Sequence, residues 1–183
     1  WDDQGSALLQ YLDEGEHRFG LQGKYPTDDV SDTVIVNFVV DAVTGPSLMF
    51  KPRKQDATIG SELTFQIIAE EVVDLAAAEF SIDYDPLFMS IASIQQGELF
   101  QIGNQSIFHV KHDESVGNIT ILTAQLDAKS PSVEGSGVLA EIRLTINSLG
   151  TSSLGFSGIN KFRGSNNSAI TIQEKIGGLV IAK

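Results

Sequence analysis

Carboxylates recur in the stretch AAAEFSIDYDP, residues 76–86, and they are the first groups in the chain that suggest chemistry. If this stretch is a β-strand, its alternation places one polar row on a single face, formed by Glu79, Ser81, Asp83 and Asp85. Asp83 and Asp85 would lie about 7 Å apart, within the ~5–9 Å range of paired glycosidase carboxylates. Asp85 precedes a proline, however, and Asp-Pro usually begins a turn. The row is a candidate for catalysis, for partner recognition, or for nothing more than the solvated face of a strand.

Other catalytic and metal-binding patterns are sparse in this sequence. His109 and His112 in FHVKH are three residues apart, so on a strand they point to opposite faces and cannot share a metal ion. His17 stands alone, and the chain lacks G-x-S-x-G, H-E-x-x-H, P-loop and G-x-G-x-x-G motifs. Two acidic loops, 13–17 and 112–118, lack EF-hand spacing, although calcium binding there stays open. We therefore expect neither an enzyme nor a dedicated cofactor site.

The charge balance limits the partners. The chain has 24 Asp and Glu against 12 Lys and Arg, a formal net charge of −12. Such a balance argues against nucleic acid and against anionic membrane surfaces, because both need clustered cations. No segment approaches the ~20 apolar residues of a membrane-spanning helix. The absence of cysteine excludes disulfides and thiolate metal sites but leaves the compartment open.

Alternation of apolar and polar residues runs through most of the chain and predicts strands. It is clearest in ELTFQIIAE (62–70) and GVLAEIRLTIN (137–147). No stretch shows a sustained helical stripe. We predict an all-β, two-sheet antiparallel β-sandwich with jelly-roll topology. Further strands are expected at 87–95, 106–112, 117–126, 168–173 and 177–182. The predicted core is Leu63, Phe65, Ile67, Phe80, Ile82, Ile119, Ile121, Ala140, Ile142, Leu144, Leu179 and Ile181.

A boundary is predicted at Gly45-Pro46, inside DAVTGPS, because Gly-Pro interrupts a strand ladder. The main domain would be 46–183, and 1–45 would be an incomplete second module with two strands. Two strands alone are marginal in water. Their apolar side chains should therefore be covered by the main domain or by a neighbouring chain. The start of the chain shows no basic-then-apolar signal sequence, so we expect a leader or upstream domains in the natural protein.

The main domain resembles the cohesin family over about residues 48–183. The blocks that carry the resemblance are LMFKP, ATIGSELTFQIIAEEVVDLAAAEFSIDYDP, LFMSIASIQQGELF, GNITILTAQLD, GSGVLAEIRLTI and KIGGLVIAK. Residues 1–45 are similar, more weakly, to the last two strands of bacterial immunoglobulin-like modules. Together the two resemblances imply a secreted or cell-surface protein built from β-domains.

Cohesins are non-catalytic receptors of cellulosome scaffoldins and related surface proteins, and they present a flat sheet face to dockerin modules. The resemblance therefore implies a protein partner, such as a calcium-loaded dockerin-like module, in an adhesion or polysaccharide-degrading assembly. Carried onto this chain, it implies a partner-binding set of Ala77, Glu79, Ser81, Asp83, Thr123 and Gln125. The family commonly has Asn at the position of Ala77, Asp at that of Glu79, and an apolar residue at that of Thr123. These departures put a conventional dockerin partner in doubt and favour a divergent partner or none.

The alternative is a carbohydrate-binding or purely structural surface module, since such modules share this architecture. Sugar platforms need a planar row of exposed aromatic side chains. The candidates Trp1, Tyr11, Tyr25 and Tyr84 form no such row by their spacing.

Overall fold

The computed structural model describes residues 8–41, 43–101, 105–127, 129 and 131–183, and these are almost entirely strands and loops. A single 3-10 turn, Glu98–Phe100, interrupts the strands of the described residues. No helix in that part of the chain is long and apolar enough to cross a membrane. The all-β prediction is confirmed. The strands are β1 (Gly15–Leu21), β2 (Val34–Val40), β3 (Ser47–Lys51), β4 (Lys54–Ala57), β5 (Glu62–Asp83), β6 (Met89–Gln96), β7 (Ser106–Asp113), β8 (Asn118–Gln125), β9 (Val133–Ile146), β10 (Gly150–Gly164), β11 (Ala169–Ile170), β12 (Glu174–Ile176) and β13 (Gly178–Ala182).

The chain forms two compact units, Trp1–Ala42 and Val43–Lys183. The first unit contains an antiparallel pair, β1 and β2, in which His17 lies opposite Phe38 and stacks on its ring at 5.6 Å. Val34 and Val36 on the same side of this pair are exposed. It remains a prediction that the main domain or a neighbouring chain covers this apolar side. Trp1 lies outside the described residues.

Deleting residues 1–42 should leave the second unit folded, with its own cooperative thermal transition. The second unit begins three residues before the predicted boundary, because Val43 is buried with Met49, Ile68 and Val138. A shortened chain that starts at Val43 keeps this cluster intact. Circular dichroism melts of the shortened and full chains test the expectation. A shortened chain without strand signal would show that the units fold only together.

β5 connects the two sheets of the second unit. Its first half pairs with β3 and β9, and its second half pairs with β8 and β10. The change occurs around Glu71 and Asp74, which both have positive φ (51° and 56°) and lie at register shifts. Bulges of this kind bend a strand and let it pass from one sheet to the other. The second sheet therefore has the order β7, β8, β5, β10, and it carries the candidate site.

β10 divides its pairing in a similar way. Residues 150–154 pair with β13, and the remainder pairs with β5. β13 and β12 run parallel to β4 and β3, respectively. The predicted antiparallel sandwich is thus confirmed, and it also contains these two short parallel pairs.

The core follows the predicted faces except in the last strand. Leu179 and Ile181 were expected inside but are only half-buried, whereas Val180 and Ala182 are buried. The reason is local packing: a Cβ built on Gly178 would lie 3.0 Å from the ring of Phe65 and 3.3 Å from Cβ of Phe50, so the even-numbered positions face inward. Leu63 is partly buried against the core. The other predicted core residues are fully buried, namely Phe65, Ile67, Phe80, Ile82, Ile119, Ile121, Ala140, Ile142 and Leu144.

Candidate partner-binding face

Four strands of the second sheet present one set of alternate side chains away from the core. The register of β7, β8, β5 and β10 aligns these side chains in four rows across the sheet. We call this surface the outer face. Its rows are Ile107–Ala124–Ala77–Arg163, His109–Leu122–Glu79–Lys161, Lys111–Thr120–Ser81–Ser157 and Asp113–Asn118–Asp83–Gly155.

Glu79 lies in the second row and is half-buried. Its Oε2 is 3.6 Å from Nζ of Lys161 on the neighbouring strand. A surface pair of this kind contributes only ~0.2–1 kcal/mol to stability. The pair changes the surface charge more than it changes stability. The positive charge of Lys161 offsets the negative charge of Glu79, so the row that the sequence indicated as acidic is less acidic than expected.

A bulge in β10 covers Ser81, which belongs to the polar row predicted from the sequence. The register shifts between Ser157 and Asn160, so Gly158 and Ile159 protrude from the ladder. Gly158 has φ +49°, and a Cβ built on it would lie 3.7 Å from Cβ of Ser81. The Asn160 amide holds the bulge by donating to the carbonyls of Ser157 (3.1 Å) and Gly158 (3.3 Å). The bulge brings Ile159 to the surface with 37% exposure.

Ser81 consequently does not form part of the accessible surface. It points to the outer face, as predicted, but only 3% of it is exposed, and its hydroxyl lies 3.0 Å from Oγ1 of Thr120. The bulge above it comes from a strand far away in sequence, so the local alternation gave no sign of it.

Thr123 and Gln125 lie on the opposite face from the one predicted. Thr123 is fully buried and pairs with Ala78 on the core side, and Gln125 is also buried. Strand alternation explains the error: Ile119 and Ile121 point inward, so the next two odd-numbered residues do as well. The residues of β8 that reach the outer face are Asn118, Thr120, Leu122 and Ala124.

Leu122 is the residue that sequence reasoning missed. It lies opposite Glu79 in the centre of the outer face and is 36% exposed. Ile107 on the edge strand is also exposed, in the neighbouring row. The inward placement of Ile119 and Ile121 was already the signal that Leu122 points outward.

The fourth row ends at a tight turn. Asp83 Oδ1 accepts a 2.6 Å hydrogen bond from the Asn118 amide, and Asp85 Oδ1 accepts one from the Leu87 N–H at 2.9 Å. Gly117 has φ +67°, and a Cβ there would lie 2.1 Å from the Tyr84 carbonyl oxygen, so only glycine fits. Asp85 therefore acts as the turn former that its proline predicts. Both carboxylates border an open cleft of about 350 Å³, which does not exclude water as a catalytic pocket must.

The histidines have structural surroundings. His109 lies on the outer face, whereas His112 points inward and its Nε2 is 2.7 Å from the Tyr84 hydroxyl. Burial, with Glu114 and Asp113 nearby, raises the pKa of Tyr84. His17 Nε2 is 2.6 Å from the Asp13 carbonyl oxygen.

The candidate calcium loops show no converging ligands in the part of the chain that the structure describes. No group there brings together three His, Cys, Asp or Glu side chains that could hold a metal ion. Asp113, in the loop 112–118, instead accepts hydrogen bonds from the N–H and hydroxyl of Ser115, which lower its pKa.

The described aromatic candidates for a sugar platform differ in exposure and in unit. Tyr84 is buried in the second unit, and Tyr11 and Tyr25 are exposed in the first.

A family model for the cohesin domain matches residues 49–176. The chain belongs to the cohesin domain family. The match confirms the resemblance of the main domain to cohesins, whereas the immunoglobulin-like resemblance of residues 1–45 stays a prediction. Cohesin domains are non-catalytic protein-binding modules that dock dockerins. No curated protein matches the chain significantly.

Solved cohesin structures share the fold at low sequence identity. A non-cellulosomal cohesin from the archaeon Archaeoglobus fulgidus has a TM-score of 0.62 and 15% identity, covering 75% of this chain and 90% of its own. A type I cohesin in the Coh-OlpA–Doc918 complex of Clostridium thermocellum has 0.65 and 16%, covering 75% and 98%. The sixth cohesin of scaffoldin B from Acetivibrio cellulolyticus, solved with a mutant Cel5 dockerin, has 0.64 and 20%, covering 76% and 100%. At these identities the likeness shows the fold alone.

Proposed function

We propose that this cohesin domain is a secreted or cell-surface receptor module that docks a dockerin-like partner through its outer face. The observation that carries the proposal is Leu122, an exposed aliphatic side chain at the centre of a sheet face that also exposes Ile107 and Ile159 among its polar side chains. Protein interfaces are anchored by such central apolar groups inside a polar rim. The context we infer is a scaffold that gathers polysaccharide-degrading or adhesive modules.

The outer face has room for one partner helix along β5. Neighbouring strands are ~4.8 Å apart, so Leu122 on β8 and the bulge of β10 stand about 10 Å apart on either side of β5. An α-helix with its side chains is ~10–12 Å wide. A helix in this position would contact Leu122 on one side and Ile159 on the other. Glu79 and Lys161 would lie beneath it.

The partner must differ in its contacts from the dockerins that the family commonly binds. Ala77 offers no amide at the position where the family commonly has Asn, and Ser81 is covered by the bulge. The accessible contacts are aliphatic groups and a mixed set of charges. Calcium, in this proposal, belongs to the partner module.

A direct test is binding of the purified chain to a panel of calcium-loaded dockerin modules, with and without a chelator. A polysaccharide array is the parallel arm. Binding to a dockerin that is lost on chelation supports the proposal. Binding to polysaccharide alone would replace it with the carbohydrate-binding alternative.

Replacing Glu79 and Asp83 together by Lys should weaken dockerin binding at least tenfold, about 1.4 kcal/mol. The change converts the pair with Lys161 into a repulsion and removes the carboxylate that Asn118 holds, in the middle and at the end of the outer face. Isothermal titration calorimetry measures the binding. The melting temperature should change little, because exposed pairs contribute little to stability.

A matched control is the double replacement of Glu62 and Glu134 by Lys. Both are exposed carboxylates that lie outside the outer face, and the change in net charge is identical. If the control weakens binding as much as the test variant, total charge matters and the acidic row is only a solvated strand face.

A further inference from the structure

We propose that Asn166 is the acceptor of an N-linked glycan. The chain contains three Asn-x-Ser/Thr motifs, at residues 104–106, 118–120 and 166–168, and this motif marks the asparagines that oligosaccharyltransferases modify. Asn104 lies outside the described residues, and the other two motifs have opposite surroundings in the structure. The inference rests on the secreted or cell-surface location in the proposed function, because this modification belongs to exported chains.

The chemistry of the transfer sets two structural requirements. The asparagine amide nitrogen Nδ2 attacks C1 of the first sugar of a polyprenyl-diphosphate-linked oligosaccharide. The bond from C1 to the diphosphate oxygen breaks, polyprenyl diphosphate leaves, and a basic group of the transferase takes one amide proton. The Nδ2 atom must therefore be free. The transferase must also reach the residue two positions later, whose hydroxyl group the motif requires.

The motif at Asn166 meets both requirements. It lies in the turn between β10 and β11, where residues 165–169 are all exposed. Asn166 Oδ1 accepts a hydrogen bond from the Ser168 N–H at 2.9 Å. Its Nδ2 donates to no other group in the part of the chain that the structure describes. Both the acceptor asparagine and the serine of the motif thus lie at an exposed loop tip, the place where surface modifications are tolerated.

The turn is held at its base and is loosely bonded at its tip. Ser165 N–H donates to Asp74 at 3.2 Å, which ties the start of the turn to β5. Within the turn, Gly164 N–H donates to the Ser168 carbonyl and Asn167 N–H donates to the Gly164 carbonyl, both at 2.9 Å. Opening the tip inside a transferase breaks few hydrogen bonds and moves no buried side chain of residues 165–169, so its cost is low.

The motif at Asn118 fails both requirements. Its Nδ2 donates to Asp83 Oδ1 at 2.6 Å and lies 3.5 Å from the Ile82 carbonyl oxygen. Ile119, the middle residue of the motif, is fully buried, and the Thr120 hydroxyl lies 3.0 Å from that of Ser81. β8 pairs with β5 on one side and β7 on the other, so presenting this motif requires the strand to leave the sheet. Folding therefore protects Asn118.

The two motifs lie at opposite ends of the outer face. Asn118 belongs to the fourth row, where a glycan would compete with a docked partner. Asn166 follows Arg163 of the first row by three residues, so its glycan begins beyond the outer face. Removing that glycan by N166Q should change dockerin affinity by less than about threefold, because sites that share no contacts act independently.

Mass spectrometry of the protein isolated from the cells that make it tests the proposal. Enzymatic release of the glycan converts the modified asparagine to aspartate, which identifies the position. We expect a glycan on Asn166 and none on Asn118. In a second arm, the folded full chain is incubated with a purified oligosaccharyltransferase and a polyprenyl-diphosphate-linked oligosaccharide. Asn166 should then be modified at least about tenfold faster than Asn118, and this preference should disappear between short peptides that carry the two motifs, since neither peptide is folded.

Variants of the turn separate the motif from mere exposure. S168A keeps Asn166 and removes the hydroxyl, so modification should stop. N167G is the matched control, because it keeps the motif and suits the positive φ of 63° at that position, so modification should persist. An unmodified Asn166 in the native protein, equal rates at Asn118 and Asn166 in the folded chain, or continued modification of S168A would overturn the inference. Dockerin binding without a glycan would contradict this inference alone, and a glycan without dockerin binding would contradict the docking proposal alone.

Discussion

Phe80→Ala is expected to lower the free energy of unfolding by about 3–5 kcal/mol, the usual cost of removing a buried phenylalanine. Phe80 is fully buried on the inward side of β5. Its ring lies 6.3 Å from that of Phe156 and 6.4 Å from that of Phe162, so the truncation leaves a cavity and removes two aromatic contacts. Urea unfolding followed by circular dichroism measures the change.

Val73→Ala is the matched control for this prediction. Val73 lies in the same strand, between the two bulged positions, and its side chain is exposed. Its truncation should change stability by no more than about 0.5 kcal/mol. A loss below about 1 kcal/mol for Phe80→Ala would mean that the faces of β5 are reversed.

The local alternation of polar and apolar residues predicted most strands, because each of these strands has one solvent-exposed face and one buried face. It did not predict β10, whose sequence GTSSLGFSGINKFRG is rich in glycine and serine and is interrupted by the bulge at Gly158 and Ile159. Its pairing with β5 and β13 decides its structure, and that pairing is between distant parts of the chain. Tertiary contacts therefore outweighed a weak local signal.

The candidate site was predictable only in part for the same reason. Glu79 and Asp83 reach the outer face as their alternation predicts, whereas the cover over Ser81 comes from a bulge about 80 residues later in the chain. The error at Thr123 and Gln125 was of another kind, since alternation within β8 alone places them inward. The sequence of one strand does not reveal a contact with a distant strand. The sequence of β8 does show which of its residues face inward, so this error was avoidable.

Leu122→Asp should weaken dockerin binding by at least about 2 kcal/mol, or roughly thirtyfold. The substitution removes the central apolar contact and places a carboxylate where a partner would exclude water. Such a carboxylate loses its hydration without gaining a paired cation, because its neighbours in the row are His109 and Glu79 and the lysine of that row, Lys161, already faces Glu79. The fold should be retained, since Leu122 is partly exposed and its neighbours in β8 keep the core.

Leu149→Asp is the control for this last prediction. Leu149 is also exposed, but it lies in the turn before β10, outside the outer face, and the substitution adds the same charge. Surface plasmon resonance against one dockerin should show a faster dissociation rate for the Leu122 variant and an unchanged rate for the control, because lost central contacts act mainly on dissociation. Equal affinity in both variants would place the partner on another surface. Equal loss in both would mean that the added negative charge, rather than the apolar centre of the outer face, governs binding.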